Sequence, residues 1–152
     1  MPSGYGVPTD ASGAERLPWS WAAERLAEAR NYWICTARGD GRPHAVPVWG
    51  LWLDDALWFS TSRASQKARN LERDPRLVVH LESGDDVVIL EGVADVATEG
   101  LTAFVEAYDA KYAFRPDPNG EGSVVYVVRP RVAQSWRERD FPQTAARWVF
   151  DG

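Results

Sequence analysis

The stretch that decides the fold is Gly39-Asp-Gly-Arg-Pro-His-Ala-Val-Pro-Val-Trp-Gly-Leu-Trp-Leu53, followed by Ala56-Leu-Trp-Phe-Ser-Thr-Ser62 and then by Arg63-Ala-Ser-Gln-Lys-Ala-Arg-Asn-Leu-Glu-Arg73. Gly39-Asp-Gly41 supplies the glycines that tight hairpin loops require, and the run over 43–53 reads as a strand. Pro47 lies within that run and cannot donate a ladder hydrogen bond, so the strand belongs at a sheet edge or a bulge. Asp54-Asp55 turns the chain into a third strand over 56–61. A short cationic helix over 63–73 follows, with Ala64, Ala68 and Leu71 facing inward and Arg63, Lys67 and Asn70 on a neighbouring face. Asp74-Pro75 stops it.

Working outward, 32–37 reads as the strand preceding the hairpin, and Pro18 suits the first turn of a helix over 19–30 that buries Trp21, Leu26 and Ala29. Residues 1–17, rich in Gly, Pro, Ser and Thr, read as an N-terminal arm to a single domain over 18–152. Strands over 77–82 and 86–97 are joined by Ser83-Gly-Asp85 and are apolar at nearly every position, which predicts two covered faces for each. Leu101, Phe104, Val105, Tyr108 and Tyr112 recur at helical spacing. After a Pro- and Gly-rich loop over 115–122, a sixth strand covers 122–128, extended to 136, and the tail closes with 146–150.

Six short strands in mostly hairpin order, with helices after the third and fifth, predict a mainly β protein: a six-stranded antiparallel barrel with flanking helices. One strand face fills the barrel, so the other must meet a helix or a second subunit. A homodimer is the economical expectation.

Composition narrows the function. A chain of 152 residues can bury its own core, and a formal net charge of -5 argues against a nucleic-acid partner, so any anion site must be local. Eight tryptophans call for broad apolar contacts in a core, across an interface or around a planar ligand. The one cysteine, Cys35, excludes an internal disulfide and reads as a small buried hydrophobe. His44 and His80 lack metal-binding spacing, so no metal is expected; His80 reads as structural, while His44 suits either a ligand contact or the surface. No apolar run reaches membrane-spanning length, and the first residues lack the basic and apolar regions of a signal peptide, so the expected compartment is the cytoplasm.

Two places can carry chemistry. Ser60, Thr61, Ser62 and Arg63 precede Lys67, and helix-start N–H groups, hydroxyls and a cation can converge on a phosphate. The same residues also suit a solvated helix face with a serine cap. Around Pro47, exposed strand backbone bordered by Trp49 can lie along a flat heterocycle, or can simply be an edge blunted against aggregation. No nucleophile elbow, phosphate-binding P-loop or dinucleotide fingerprint is present in the sequence.

The ordered series Gly41-Arg-Pro-His44, Pro47-Val-Trp49, Trp58-Phe-Ser-Thr61, Lys67-Ala-Arg-Asn-Leu71 and Asp74-Pro-Arg76, with the closing Arg147-Trp148, resembles the pyridoxamine 5'-phosphate oxidase-like superfamily and, within it, the flavin/deazaflavin oxidoreductases of the B group. The resemblance covers roughly residues 20–150. It implies an FMN-binding split β-barrel, a homodimer with two cofactors in grooves between subunits, and an oxidoreductase acting on a small organic substrate. Carried over by position, Ser60, Ser62 and Lys67 match the phosphate-binding segment, Thr61 and Arg63 border it, and Val46, Pro47, Val48 and Trp49 match the strand flanking the isoalloxazine-type ring. Ser65 stands where some relatives that bind the deazaflavin place a second cation. The cofactor implied is coenzyme F420, a deazaflavin, with FMN as the alternative. Other readings within the superfamily are a pyridoxamine 5'-phosphate oxidase proper and a non-catalytic flavin- or haem-binding protein.

Overall fold

A computed structural model of the chain describes residues 7–8 and 16–150. In chain order the elements are β1 (Val7–Pro8), α1 (Trp19–Glu28), β2 (Tyr32–Ala37), β3 (Pro43–Val48), β4 (Leu51–Leu53), β5 (Ala56–Ser62), α2 (Gln66–Arg73), β6 (Arg76–His80), β7 (Asp86–Val96), α3 (Leu101–Tyr112), β8 (Ser123–Arg137), a single 3-10 turn, α4 (Phe141–Thr144) and β9 (Ala146–Val149). All strand pairs are antiparallel, and the sheet runs β1-β9-β8-β7-β6-β2-β3, with β5 also on β8 and β4 on β5.

The expected mainly β barrel with flanking helices is therefore present, but with nine strands in its sheet and not six. The six expected strands are all there. The run over 43–53 divides at Trp49-Gly50 into β3 and β4, and the two terminal strands β1 and β9 pair with each other. Tyr5 and most of the N-terminal arm lie outside the described residues.

Local chemistry explains the curl. Asp54 and Asp55 both have positive φ, 53° and 57°, as a two-residue hairpin turn demands, and they fold β5 tightly back on β4. In the long strand β8, the first half holds β5, the second half holds β9, and β7 runs along the other edge. The register of β7 on β8 shifts between Glu91 and Gly92, where a Cβ on Gly92 would stand 2.9 Å from the Arg129 carbonyl oxygen. Such a bulge bends both strands and closes the sheet around its core.

Two apolar clusters result. The interior one contains Leu26, Tyr32, Ile34, Phe59, Val79, Leu90 and Val128, and α1 and α2 close it through Trp19, Trp21, Ala68 and Leu71. The other lies outside β5 and β8, where Trp58, Val125 and Val127 meet Phe104 and Val105 of α3. This two-sided burial explains why β5 is buried at four successive positions, 56–59. On β6 and β7 the expectation of two covered faces fails within the single chain: Leu77, Val79, Val88 and Leu90 point inward and are buried, while Val78, His80, Ile89 and Val93 on the opposite face are half-exposed.

Candidate functional site

The site is built where β5 runs out into α2. Alternation along β5 places Ser60 and Ser62 on the side of Trp58, and Thr61 on the interior side with Leu57 and Phe59. The expected hydroxyl cluster is thus divided between two faces. The helix also starts later than expected: Arg63 and Ala64 lie in the turn, Ala64 is exposed, and Ser65 is the N-cap. Ser65 Oγ accepts from the Ala68 N–H at 3.2 Å and donates to the Ser62 carbonyl at 2.7 Å, while Thr61 donates to Ser65 Oγ at 3.3 Å. Ser62 Oγ accepts from the Ala64 N–H at 3.1 Å, and the Arg63 N–H donates to the Gly122 carbonyl at 2.7 Å. Three hydroxyls and a cap fix this corner before any ligand arrives.

On the first turn of α2, Lys67 is half-buried and makes no ion pair among the described residues. Burial pushes its pKa below the ordinary lysine range. No hydrogen bond joins it to Ser60 or Ser62 among the described residues. Asn70, expected beside it on the outer face, is fully buried: it donates to Thr36 Oγ1 at 3.0 Å and accepts from Gln66 at 2.7 Å, locking α2 onto β2. Opposite Thr36 in the β2–β3 register stands His44, whose Nδ1 is buried without a hydrogen-bond partner. Burial first, then Arg38 and Lys67, hold its pKa below the usual histidine value. Arg38 and Lys67 are the charges that act on His44, and Arg63 stands exposed at the helix entry. Such a donor set fits an anion.

Strand β3 supplies the adjoining wall. It pairs only with β2, so its other edge is open, as Pro47 requires. Val46 and Val48 are half-buried, whereas Pro43, Ala45 and Pro47 are exposed on the other side. At its end Trp49, 38% exposed, stacks parallel on Tyr112 with ring centroids 4.6 Å apart, and the Arg30 guanidinium lies 5.0 Å from the indole centroid. Trp49 already has an aromatic partner on one face.

Sequence reasoning missed what holds that end of β3. Buried Gly50 donates its N–H to the Tyr112 hydroxyl at 2.9 Å, and that hydroxyl's proton is shared between the carbonyls of Arg30 and Gly50, both at 2.8 Å. Lys111 donates to the Gly50 carbonyl at 3.0 Å and to the Tyr32 hydroxyl at 2.9 Å, and Tyr32 donates to the Leu26 carbonyl. Burial, then Arg30, brings the Lys111 pKa down to about 8, and burial, then Tyr112, raises that of Tyr32. The available signal was Gly50 itself, a glycine inside a strand pattern, which marks a break or a close backbone approach.

The sequence profile of the pyridoxamine 5'-phosphate oxidase family matches residues 21–137. The chain belongs to that family.

Solved structures share the fold. A conserved hypothetical protein, Rv2991, from Mycobacterium tuberculosis is 27% identical, with a TM-score of 0.72 over 86% of this chain and 91% of that one. An F420 reductase, 23% identical, matches with a TM-score of 0.59 over 88% of this chain and 98% of the other. A haem-binding protein from Mycobacterium smegmatis, 21% identical, has a TM-score of 0.65 over 79% of this chain and 55% of its own. The last two likenesses are of fold. No curated protein matches the sequence.

Outside this corner, the family fold leaves a depression of about 510 Å³ across the outer face of β2, β6 and β7, lined by Cys35, Leu77, Val78 and Val93 and rimmed by Arg76 and Arg131. Cys35, expected as a small buried hydrophobe, is instead only partly buried on this outer face because alternation along β2 turns it away from the core, and that partial burial raises its thiol pKa. His80 stacks on Trp33 with its Nδ1 2.8 Å from the Leu81 carbonyl oxygen, as suits its structural reading. Among the described residues no group of three or more His, Cys, Asp or Glu could hold a metal, and no helix is long and apolar enough to cross a membrane. Tyr126 is buried against Phe59.

Proposed function

We propose that the protein is an oxidoreductase that binds coenzyme F420 through its phosphate at the β5–α2 corner and along its ring at β3, in a groove completed by a second copy of the chain. The observation that carries this reading is Lys67: a half-buried amine beside a pre-ordered hydroxyl turn and without an acidic partner among the described residues. Its amine still reaches water, and a partly desolvated cation with no carboxylate beside it is available to pair with an anion.

Each residue then has a task. Lys67, with Ser60, Ser62 and Arg63, holds the phosphate, while Thr61 acts through Ser65 to fix the turn. Val46, Pro47 and Val48 offer the ring an open strand edge, and Trp49, braced by Tyr112, sets the end of that edge. When bound, the cofactor supplies the two-electron carrier that exchanges a hydride with a small organic substrate; the chain orients it and shields one face. The half-exposed apolar face of β2, β6 and β7 supports the homodimer.

The test is turnover with the reduced deazaflavin carrying deuterium at its reactive carbon, together with light scattering. A dimer and label in the product support the reading. Label arriving only from solvent contradicts direct transfer, and a monomer that binds cofactor stoichiometrically contradicts the shared groove. Tight binding of FMN with no response to the deazaflavin replaces the cofactor, and binding of either cofactor or of haem without turnover makes the protein a carrier.

A further inference from the structure

We propose that His44 is a proton-linked arm of the phosphate cradle, so that the site takes up a proton as it takes up its anion and binds more tightly as pH falls. The inference rests on the phosphate reading of Lys67 and adds to it a residue and a regulation.

Three observations converge on it. The ring sits on β3 opposite Thr36, at the start of the strand proposed to carry the cofactor ring, and α2 packs over this position through the Asn70–Thr36 bond of 3.0 Å. Its Nδ1 is buried and unpartnered, a polar atom withdrawn from water with nothing to bond. The charges acting on it, Arg38 from the β2–β3 turn and Lys67 from α2, are both positive. Arg38 also donates to the Pro43 carbonyl at 2.7 Å, and of the other charges on the surrounding elements Asp40 pairs with Arg42 at the hairpin tip, Arg73 with the Ala37 carbonyl, Arg69 with Gln66 and Asp74 with Arg76, while Glu72 of α2 and Arg63 at its entry act on Tyr126.

In the free protein burial and then the two neighbouring cations disfavour protonation of the imidazole. A tetrahedral anion seated against Lys67 offsets that field and offers an acceptor to a ring N–H. The ring then binds one proton from solvent, and its titration midpoint rises in the complex. Because the complex holds more protons than the free protein between the two midpoints, affinity rises as pH falls through that window and is flat above it. A histidine gives the cradle a pH dependence that an arginine at this position could not.

Sulfate is the probe, because it stays dianionic from pH 5 to 8 and isolates the protein's titration from the ligand's. The chain has only two histidines, so NMR titration of the imidazole signals reads His44 directly with His80 as internal reference, and His44→Gln assigns the pair. At constant ionic strength, sulfate is expected to raise the His44 midpoint by about one pH unit, a roughly tenfold coupling, and to leave His80 unmoved. Lys67→Ala should abolish the rise, and His44→Gln should bind sulfate with a flat pH profile. A His44 midpoint that sulfate does not move, while Lys67→Ala still weakens sulfate binding, overturns the inference and leaves the cradle standing. Failure of sulfate, the deazaflavin and FMN all to bind the wild-type protein overturns the cradle and the inference together. FMN bound with proton uptake where sulfate shows none places His44 against another part of the cofactor and overturns its role at the phosphate.

Discussion

Lys67 and Lys111 are two half-buried amines at opposite ends of β3, and burial pushes the pKa of each below the ordinary lysine value. Their surroundings differ in kind. Lys111 gives hydrogen bonds to the Gly50 carbonyl and the Tyr32 hydroxyl, inside a network that Tyr112 extends to Arg30. Lys67 has no such protein partner among the described residues, and the corner around it holds His44, whose pKa burial lowers, and a turn of hydroxyls. A satisfied buried amine belongs to the architecture, because its desolvation is offset within the fold. One without a protein partner is left to water or to a ligand. The comparison therefore sets a structural end of β3 against the proposed binding end.

The largest effects should come from breaking the structural end. Gly50→Ala would place a Cβ 2.9 Å from the Trp58 carbonyl oxygen and 3.2 Å from the Tyr32 ring. Because the nearer atom is backbone, the expected loss is about 3 kcal/mol, a fall in Tm of roughly 6–12 °C in thermal denaturation. A Tm unchanged by this substitution would mean that the Trp49-Gly50 break is loosely held.

Removing one hydroxyl should do less. Tyr112→Phe keeps the ring under Trp49 but leaves the buried Gly50 N–H without its acceptor, which should cost about 1–2 kcal/mol in urea unfolding. The same variant should bind cofactor within about threefold of wild type, a difference under ~1 kcal/mol. A large loss of affinity with stability intact would merge the two ends into one site.

The smallest effect is a slope. Lys111 has a folded pKa of about 8 against an ordinary 10.5, so between those values the unfolded chain holds more protons and stability should rise with pH. From about pH 10 upward the raised Tyr32 pKa works in the opposite sense, since there the folded state retains a proton that the unfolded chain releases. Unfolding measured from pH 8 to 10 should show the rise in wild type and a flatter curve in Lys111→Met. Equal slopes would show that Lys111 is solvated and not part of the network.

How far each end could be read from sequence follows from the range of its interactions. The binding end is local: the Gly39-Asp-Gly41 turn, Pro47 on an edge and the serines before Lys67 all act through neighbours a few positions away, and all were legible. The segment's helix start was misplaced because Ser65, two residues inside the expected helix, is the better cap. Helical spacing sets Asn70 on a face beside the inward one but cannot reveal that Thr36, 34 positions earlier, is the partner of its amide. The structural end was not legible. Gly50 meets Tyr112 across 62 positions and Lys111 meets Tyr32 across 79, so the break in an otherwise continuous apolar run is imposed by distant side chains. The same holds for the strand count, since β9 becomes a strand by pairing with the far half of β8 and with β1.

The central claim, that Lys67 reads a phosphate, is tested most directly by titrating wild type and Lys67→Ala with each cofactor, deazaflavin and FMN, and with the dephosphorylated parent of each. The wild type should prefer the phosphorylated form of its cofactor, and Lys67→Ala should lose about 1.5–3 kcal/mol of that preference, roughly ten- to a hundredfold, with its fold intact. A well-folded Lys67→Ala that keeps the full preference for the phosphorylated cofactor would contradict the account.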